Sequence, residues 1–291
     1  MFLITSISRL PFRVLYALSD CLFFVLYYVL KYRREVVKRN LVNAFPEKST
    51  EEIGLIAKEF YRNLTDVIVE TVKALTISDQ ELNSRIHVLN FDACMRELTN
   101  NQSIIVMASH QANWEWLQLV FSANLAKKHI AVDAVYKPLH NQFSERLMLA
   151  IRTRFGSYPL PMNKLPREIV SRRPITRIIA MVADQMPAPE TAYWTQFLNQ
   201  DTPFFTGAAK IAQRTGYPVF YVGMRRIRRG YYEVYAHPLK VEPVTSNLDH
   251  SIIEAYVQEV EKAIKLSPAQ WLWSHKRWKH KRAKTIVDEG Q

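Results

Sequence analysis

The stretch Ile104-Ile105-Val106-Met107-Ala108-Ser109-His110-Gln111-Ala112-Asn113-Trp114-Glu115-Trp116, near the middle of the chain, decides how the fold is interpreted. Its first five residues are apolar and largely β-branched, which is typical of a buried strand. The continuation from Trp116 through Leu117, Gln118, Leu119 and Val120 favours a helix. We therefore predict a junction between a strand and a helix, with His110 and Glu115 on either side of it.

A histidine and a glutamate flanking such a junction can form a general base. Within one helix the two side chains would point about 140° apart, but they can converge if His110 ends the strand and Glu115 begins the helix. Glu115 would then accept the proton of one imidazole nitrogen and leave the other nitrogen free to act as a base. The pair alone is unspecific, because a core histidine beside a solvated glutamate has the same spacing.

The composition indicates a folded, basic protein. The 291 residues are 48% apolar, which excludes general disorder, and 39 Lys and Arg against 27 Asp and Glu give a formal charge of +12. This charge favours an anionic partner, which could be nucleic acid, anionic lipid or an acidic carrier protein. Two distant cysteines, Cys21 and Cys94, provide neither a disulfide framework nor a thiolate metal site, and we expect no metal and no cofactor.

The N-terminal segment contains a long apolar run. The seventeen residues from Val14 to Leu30 carry one charge, Asp20. Basic residues flank the run on both sides, namely Arg9, Arg13, Lys31, Arg33, Arg34, Lys38 and Arg39. The run could span a bilayer, lie in its interface or be an ordinary buried helix, and its basic flanks and aromatic residues favour the membrane. We predict a membrane-associated segment, residues 1–40, and a single domain, residues 41–291.

Apolar runs of strand and helix character alternate through the rest of the chain. The predicted strands are Ile86–Leu89, Ile104–Ala108, Ile130–Tyr136, Thr176–Ala183, Val219–Ile227 and Tyr231–Val241. A Ser49-Thr50-Glu51-Glu52 capping box predicts the start of an amphipathic helix, whose core-facing side chains are Ile53, Ile56, Phe60, Leu64, Val67, Ile68 and Leu75. Further predicted helices cover Phe91–Leu98, the region up to Lys127, Asn141–Arg154, Ala208–Thr215 and His250–Leu266. This alternation predicts an α/β fold with a mostly parallel central sheet flanked by helices.

Polar residues at the carboxyl ends of these strands are candidate site residues. Ligands collect beyond the carboxyl ends of parallel strands, so His110 and Asp184 should lie close together. Asp184 would orient a basic residue or serve as a structural partner. Thr206 and Gly207 begin a helix, where they would cap it or bind an anion. Further candidates for phosphate groups are Lys137, Arg152, Arg154 and Arg225.

The tail from Trp271 to Arg282 interleaves tryptophans with basic residues. This pattern suits an anionic membrane interface or single-stranded nucleic acid, whereas a helix could equally lay Trp271 and Trp273 on the core. No nucleic-acid-binding motif accompanies the charge, and no nucleophile elbow, Walker loop or dinucleotide fingerprint is present.

The blocks together resemble the bacterial lipid A biosynthesis acyltransferases, the late or secondary acyltransferases of the lysophospholipid acyltransferase superfamily. His110-Gln111-Ala112-Asn113-Trp114-Glu115 resembles the HX4E/D box of glycerolipid acyltransferases. The other blocks are Asn40-Leu41 to Phe45-Pro46, Phe60-Tyr61-Arg62-Asn63, Tyr136-Lys137-Pro138, Arg152 with Phe155-Gly156, Asp184-Gln185, Pro203-Phe204-Phe205, Gly207, Arg225 and the ending from Pro268 to Lys279. The sequence departs from the pattern of this family at two points: the residues before Asp184 lack the usual glycines, and Lys137 stands where arginine is commoner. These departures bear on which acceptor is used more than on which reaction is catalysed.

The resemblance implies transfer of a fatty acyl chain from an acyl-carrier-protein or CoA thioester to a hydroxyl of a membrane lipid, foremost a lipid A precursor. A lysophospholipid or an aminolipid is the alternative acceptor. His110 would be the general base, Glu115 would orient it, and a backbone N–H or a nearby cation such as Arg152 would stabilise the oxyanion. The implied substrate-binding residues are Asn113, Lys137, Arg152, Arg154, Asp184, Gln185, Thr206, Gly207 and Arg225.

The same resemblance implies a location at the bacterial inner membrane, with the catalytic domain on the cytoplasmic side and no nucleic-acid partner. The rival hypothesis from another class is a non-enzymatic, membrane-attached basic module that binds anionic lipid or nucleic acid.

Overall fold

A seven-stranded sheet forms the centre of the protein in a computed structural model, which describes residues 1–239 and 250–282. The strands are β1 (Ile86–Leu89), β2 (Ile104–Ala108), β3 (Ala131–Tyr136), β4 (Tyr158–Pro161), β5 (Arg177–Val182), β6 (Tyr193–Phe197), β7 (Gln200–Phe204), β8 (Val219–Arg228) and β9 (Tyr231–Pro238). The large sheet has the order β1-β9-β8-β2-β5-β3-β4, and β6 with β7 forms a separate hairpin. Strand pairing is parallel throughout the large sheet except between β8 and β9.

Helices cover the sheet, as the alternating sequence pattern predicts. They are α1 (Phe2–Ser8), α2 (Phe12–Phe24), α3 (Arg34–Ala44), α4 (Thr50–Lys73), α5 (Asp79–Arg85), α6 (Asp92–Thr99), α7 (Trp114–Ala126), α8 (Gln142–Arg152), α9 (Leu165–Ser171), α10 (Gly207–Thr215) and α11 (Ser251–Leu266). The predicted α/β class with a mostly parallel sheet is confirmed. The last two residues of the predicted strand Tyr231–Val241 lie outside the described residues.

The middle position in the sheet belongs to β2, with three strands on each side. All five of its residues are buried, because β5 and β8 cover both of its edges and helices cover its faces. A strand enclosed in this way must be apolar throughout, which explains the uninterrupted run at Ile104–Ala108. The residues that follow β2 therefore leave the centre of the sheet at its carboxyl edge.

The predicted helix after residue 49 is confirmed as α4, and its capping box is formed. The backbone N–H of Glu52 donates to Ser49 Oγ at 3.2 Å, and the backbone N–H of Ser49 donates to Glu52 Oε2 at 2.8 Å. The inner face of α4 carries the expected apolar side chains, except that Ile68 is 39% exposed. The same face also buries two carboxylates, Asp66 and Glu70, which are 2% and 0% exposed.

The N-terminal apolar run forms α2, which continues into a π-helical turn at Val25–Val29. Together Phe12–Val29 is long and apolar enough to cross a membrane by length and composition. In the structure α2 packs against α4 and joins it through side-chain hydrogen bonds.

Candidate active site

A tight turn after β2 positions the candidate catalytic residues. Ala112 has φ +52°, in the left-handed region, and this reverses the chain between the strand and α7. The next residue, Asn113, caps α7, because its Oδ1 accepts a hydrogen bond from the backbone N–H of Trp116 at 3.0 Å. His110 is thereby fixed at the end of β2, before the helix begins.

An aspartate from the neighbouring strand end holds His110 at two points. The His110 backbone N–H donates to Asp184 Oδ2 at 2.8 Å, and His110 Nδ1 lies 2.6 Å from Asp184 Oδ1. The indole N–H of Trp271 also donates to Oδ2, at 2.7 Å. Burial acts to raise the pKa of Asp184, but the attraction of His110 and these hydrogen bonds lower it below its usual 3.8. The predicted proximity of His110 and Asp184 is confirmed.

The second ring nitrogen of His110 lies 3.0 Å from the amide nitrogen of Gln185. With Nδ1–H donating to the aspartate, a neutral imidazole offers a lone pair at Nε2, and the Gln185 amide donates to it. The His110 side chain is 16% exposed, so this nitrogen is covered but close to the surface. The arrangement presents a base whose tautomer is fixed by a buried carboxylate.

The expected hydrogen bond between Glu115 and His110 is not formed, and this corrects the sequence interpretation. Glu115 instead makes a two-point ion pair with Arg152, whose Nε and Nη2 lie 3.0 Å and 2.7 Å from the carboxylate oxygens. Glu115 lies in the first turn of α7, and its side chain contacts Arg152, the last residue of α8. Burial acts to lower the pKa of Arg152, but the Glu115 carboxylate raises it.

Trp114 connects the two pairs. Its ring centroid lies 5.2 Å from that of His110, in an edge-to-face arrangement, and its indole N–H donates to Glu115 Oε1 at 3.2 Å. Trp114 thus contacts both His110 and Glu115, although Glu115 makes no hydrogen bond to the imidazole.

Three other predicted substrate contacts have structural partners. Asn113 is fully buried, and its Nδ2 donates to Glu70 Oε2 at 2.7 Å. Arg154 donates to the backbone carbonyls of Ala74 and Ile77, which ties α8 to the end of α4. Arg225 pairs across β8 and β9 with Glu233, as its Nε donates at 2.7 Å. Burial closes Asn113 to a substrate, whereas Arg154 is partly exposed and the Arg225 side chain is 57% exposed, so both remain predicted anion contacts.

Lys137 and the start of α10 remain predicted anion contacts. Lys137 is exposed directly after β3. Thr206 occupies the N-cap position of α10, but its side chain makes no capping hydrogen bond, so the predicted capping role is wrong. Gly207 begins that helix, and a Cβ added there would meet nothing within 4 Å.

The tail completes the turn, which the sequence interpretation did not anticipate. The backbone N–H of Ala112 donates to the Gln270 carbonyl at 2.8 Å, and that of Leu272 donates to the His110 carbonyl at 3.1 Å. Trp271 and Trp273 are 2% and 0% exposed. Their packing on the core is confirmed, but they follow a short 3-10 turn and are not in a helix.

A buried glutamate behind the turn was also missed. The Glu70 carboxylate accepts hydrogen bonds from the hydroxyls of Tyr16 and Tyr232 at 2.8 Å and 2.5 Å, in addition to Asn113. Burial raises the pKa of Glu70, while these hydrogen bonds act to lower it. The signal in the sequence was a charged residue on the apolar face of α4. Among residues 1–239 and 250–282, no group of three or more His, Cys, Asp or Glu side chains could hold a metal ion.

Comparison with known proteins identifies the family. The model of the family described as bacterial lipid A biosynthesis acyltransferase matches residues 1–280. The chain belongs to this family. A lipid A biosynthesis palmitoleoyltransferase of Escherichia coli (strain K12) is 25% identical over 273 residues, which are 93% of this chain and 87% of the relative.

Two further relatives agree in name and coverage. A lipid A biosynthesis acyltransferase of Shigella flexneri is also 25% identical over 273 residues, 93% of this chain and 87% of its own length. A lipid A biosynthesis lauroyltransferase of E. coli (strain K12) is 22% identical over 276 residues, 94% of this chain and 88% of its own length. The protein is therefore an acyltransferase of lipid A biosynthesis, and the predicted family is confirmed.

Proposed function

We propose that the protein transfers a fatty acyl chain from the thioester of acyl carrier protein or CoA to a hydroxyl of a lipid A precursor, with His110 as the general base. One observation carries this proposal. The His110 ring is held by a buried carboxylate through Nδ1, and His110 itself follows the carboxyl end of β2, where substrates collect in sheets of this kind. The relatives named above, a palmitoleoyltransferase and a lauroyltransferase, support a fatty acyl group as cargo.

The proposed reaction needs one base and no covalent enzyme intermediate. Nε2 of His110 takes the proton of the acceptor hydroxyl as the oxygen attacks the thioester carbonyl. The carbon–sulfur bond then breaks, and the departing thiolate receives the proton from the imidazolium. Asp184 stabilises the imidazolium and keeps Nδ1 protonated, which is the role of the carboxylate in a Ser-His-Asp triad. Gln185 must turn away from Nε2 before the hydroxyl can bind.

Glu115 acts on Arg152 in this proposal. The two bonds from Arg152 to Glu115 use Nε and Nη2, so Nη1 is not used by that carboxylate. We assign Nη1 of Arg152 to the oxyanion that forms on the thioester carbonyl. Lys137, Thr206 and Gly207 would contact phosphate groups of the acceptor. The glutamate of the predicted His–Glu dyad thus becomes the residue that positions a cation.

Charge and the N-terminal helix support a membrane location. The formal charge of +12 suits an anionic glycolipid acceptor and an acidic carrier protein as donor. The exposed apolar residues of α2 would attach the protein to the inner membrane, and the basic cluster after it would bind the anionic lipid headgroups of the cytoplasmic side.

The test compares the wild type with His110→Ala. Purified, detergent-solubilised protein is incubated with a lipid A precursor and either acyl-ACP or acyl-CoA, and mass spectrometry follows the gain of one acyl chain. We expect the variant to lose at least about a hundredfold in rate, which is the lower range for general-base catalysis. An unchanged rate in the variant would refute His110 as the general base, whereas absence of acyl transfer in the wild type would refute the proposed reaction and favour the binding module.

A second experiment identifies the acceptor. Mass spectrometry of membrane lipids from a strain that lacks the gene should show lipid A short of one acyl chain. Loss of an acyl chain from a phospholipid or an aminolipid, with lipid A intact, would instead replace the proposed acceptor.

A further inference from the structure

The segment Phe12–Val29 exposes an apolar surface, although its inward side already buries Leu15 and Phe23 against the protein. Its outward side is apolar and exposed, and it includes Val14, Leu18, Phe24, Val25, Tyr28 and Val29, which are 40% to 61% exposed. These positions recur at helical spacing and form one stripe along a segment about 27 Å long, at 1.5 Å per residue. Phe2 and Leu3 of α1 extend the exposed apolar surface at 89% and 71%.

The inward side of the same segment carries the polar contacts. The Tyr16 hydroxyl donates to Glu70 Oε1 at 2.8 Å, and Ser19 Oγ donates to Asp66 Oδ1 at 2.7 Å. Asp20 lies at the edge of this side with its side chain 65% exposed, and it pairs with Arg229, whose Nη2 lies 2.7 Å from Oδ1. Asp66 and Glu70, the carboxylates on α4 that accept these hydrogen bonds, are buried. Because water does not reach them, they need hydrogen-bond donors from the protein.

A helix with these contacts does not cross a bilayer. Pulling Phe12–Val29 into the hydrocarbon would remove one donor from each of the buried carboxylates Asp66 and Glu70, which would keep their other partners. It would also separate Asp20 from Arg229 and carry this charge to the middle of the membrane, which is costly. The apolar stripe, in contrast, can enter lipid while every inward contact remains intact.

Basic residues border the stripe at both ends. Arg9 and Arg13 precede it, and Lys31, Arg33 and Lys38 follow it, all of them exposed. Apolar side chains between cations are the composition that binds the surface of an anionic bilayer. We propose that α1, α2 and the π-helical turn lie in the plane of an anionic bilayer surface, with the stripe inserted among the lipids and the catalytic domain docked on the opposite side. This inference rests on the proposed membrane attachment but not on the acyl transfer.

The position of α2 also sets the height of the active site above the lipid. Glu70 receives the hydroxyl of Tyr16 from one side and the amide of Asn113 from the other. Two hydrogen bonds therefore connect the membrane-facing helix to the turn that carries His110. An acceptor lipid would be presented to the base at a fixed distance from the bilayer surface.

A native cysteine provides the test. Cys21 is exposed and lies near the centre of Phe12–Val29, whereas Cys94 is buried. The Cys94→Ala variant of the full chain is labelled at Cys21 with the fluorophore NBD and bound to vesicles of phosphatidylcholine and phosphatidylglycerol at 3:1. Lipids with spin labels near the headgroup should quench the fluorescence at least twofold more than lipids labelled deep in the acyl chain.

The opposite ratio, with the deep label quenching more, would show a spanning helix and overturn the proposal. Absence of any change of NBD emission on adding vesicles, with dimers seen by light scattering, would assign the stripe to a second copy of the chain and overturn it as well. Vesicles of phosphatidylcholine alone should bind at least tenfold more weakly, and equal binding would contradict the role of the basic residues.

Matched substitutions separate the stripe from general hydrophobicity. The double variant Leu18→Ser/Val25→Ser should bind the anionic vesicles at least tenfold more weakly. Val170→Ser, which alters a side chain 73% exposed on α9, should bind as the wild type does. His110→Ala should also bind normally while losing acyl transfer, so failure of the proposed reaction and failure of the surface docking give different results.

Discussion

Replacing Asp184 by asparagine tests which carboxylate serves His110. The substitution keeps the size of the side chain but removes its charge. Asp184 accepts three N–H groups at 2.6–2.8 Å, from the His110 backbone, the His110 ring and the Trp271 indole. An asparagine offers these donors one oxygen where the aspartate offers two, and it directs its own N–H₂ group at one of them. The imidazole then loses the anion that fixes its tautomer.

The size of the effect follows from these contacts. A hydrogen bond to a charged group contributes about 1.5–3 kcal/mol, and two such bonds hold His110. Because the imidazolium forms in the transition state, we expect kcat/KM to fall about a thousandfold, equivalent to about 4 kcal/mol. Loss of a buried, fully hydrogen-bonded carboxylate should also lower the free energy of unfolding by about 1–3 kcal/mol.

The assay measures acyl transfer by mass spectrometry from pH 5 to pH 9, and Glu115→Gln is the matched control. Asp184→Asn should move the acidic limb of the kcat/KM profile to lower pH, because the imidazolium forms less easily without its carboxylate. Glu115→Gln should lower the rate through Arg152 but leave that limb in place. If Glu115→Gln moves the limb and Asp184→Asn does not, or if Asp184→Asn stays within tenfold of the wild type, the assignment of Asp184 is refuted.

Three further outcomes follow from the contacts around the site. Gln185→Ala should lower the KM for the acceptor up to about fivefold without lowering kcat, since a hydrogen bond of about 1 kcal/mol to His110 Nε2 no longer has to break. Steady-state kinetics that show a large fall in kcat would contradict this. Tyr16→Phe should lower the free energy of unfolding in urea by about 1–2 kcal/mol by removing a donor from buried Glu70, whereas Tyr28→Phe on the outward side should change it by less than about 0.5 kcal/mol. Burial, and then a neighbouring arginine, lower the pKa of His275 from 6.5 to about 4. Between pH 6.5 and about 4 the unfolded chain therefore binds a proton at His275 that the folded protein does not bind. The free energy of unfolding consequently decreases as the pH is lowered through this range. His275→Gln should reduce the fall by up to about 2 kcal/mol, allowing for partial exposure, and parallel stability curves for the two proteins would refute it.

The parts of the fold that the sequence predicts are those with a strong local pattern. The run Ile104–Ala108 is apolar because it occupies the middle of the sheet, and the capping box at Ser49 marks the start of α4. Short elements escaped prediction for the opposite reason. Strand β4 contains two prolines in four residues, and the β6–β7 hairpin shows no apolar alternation, so neither carries a strand signal.

The proximity of His110 and Asp184 was predictable from the sequence, whereas the partner of Glu115 was not. Placing His110 and Asp184 at neighbouring carboxyl ends follows from sheet topology, which the alternating pattern indicates. The turn between His110 and Glu115 includes Ala112 at φ +52°, a conformation that a sequence with alanine at that position does not signal. A five-residue spacing allows both directions, and the structure selects the one toward Arg152.

Trp271, in the C-terminal tail, both packs in the core and contacts a residue of the candidate active site. Trp271 fills the core beside Phe197, and it also donates its indole N–H to the carboxylate that holds His110. A purely apolar side chain would fill the same space but leave that oxygen with one donor fewer, and a small polar one would leave a cavity. The backbone of Gln270 and Leu272 fixes the indole by pairing with the turn on either side of Gln111. The orientation of His110 therefore depends on a segment about 160 residues away along the chain. Trp271 belongs to the candidate active site as much as to the core.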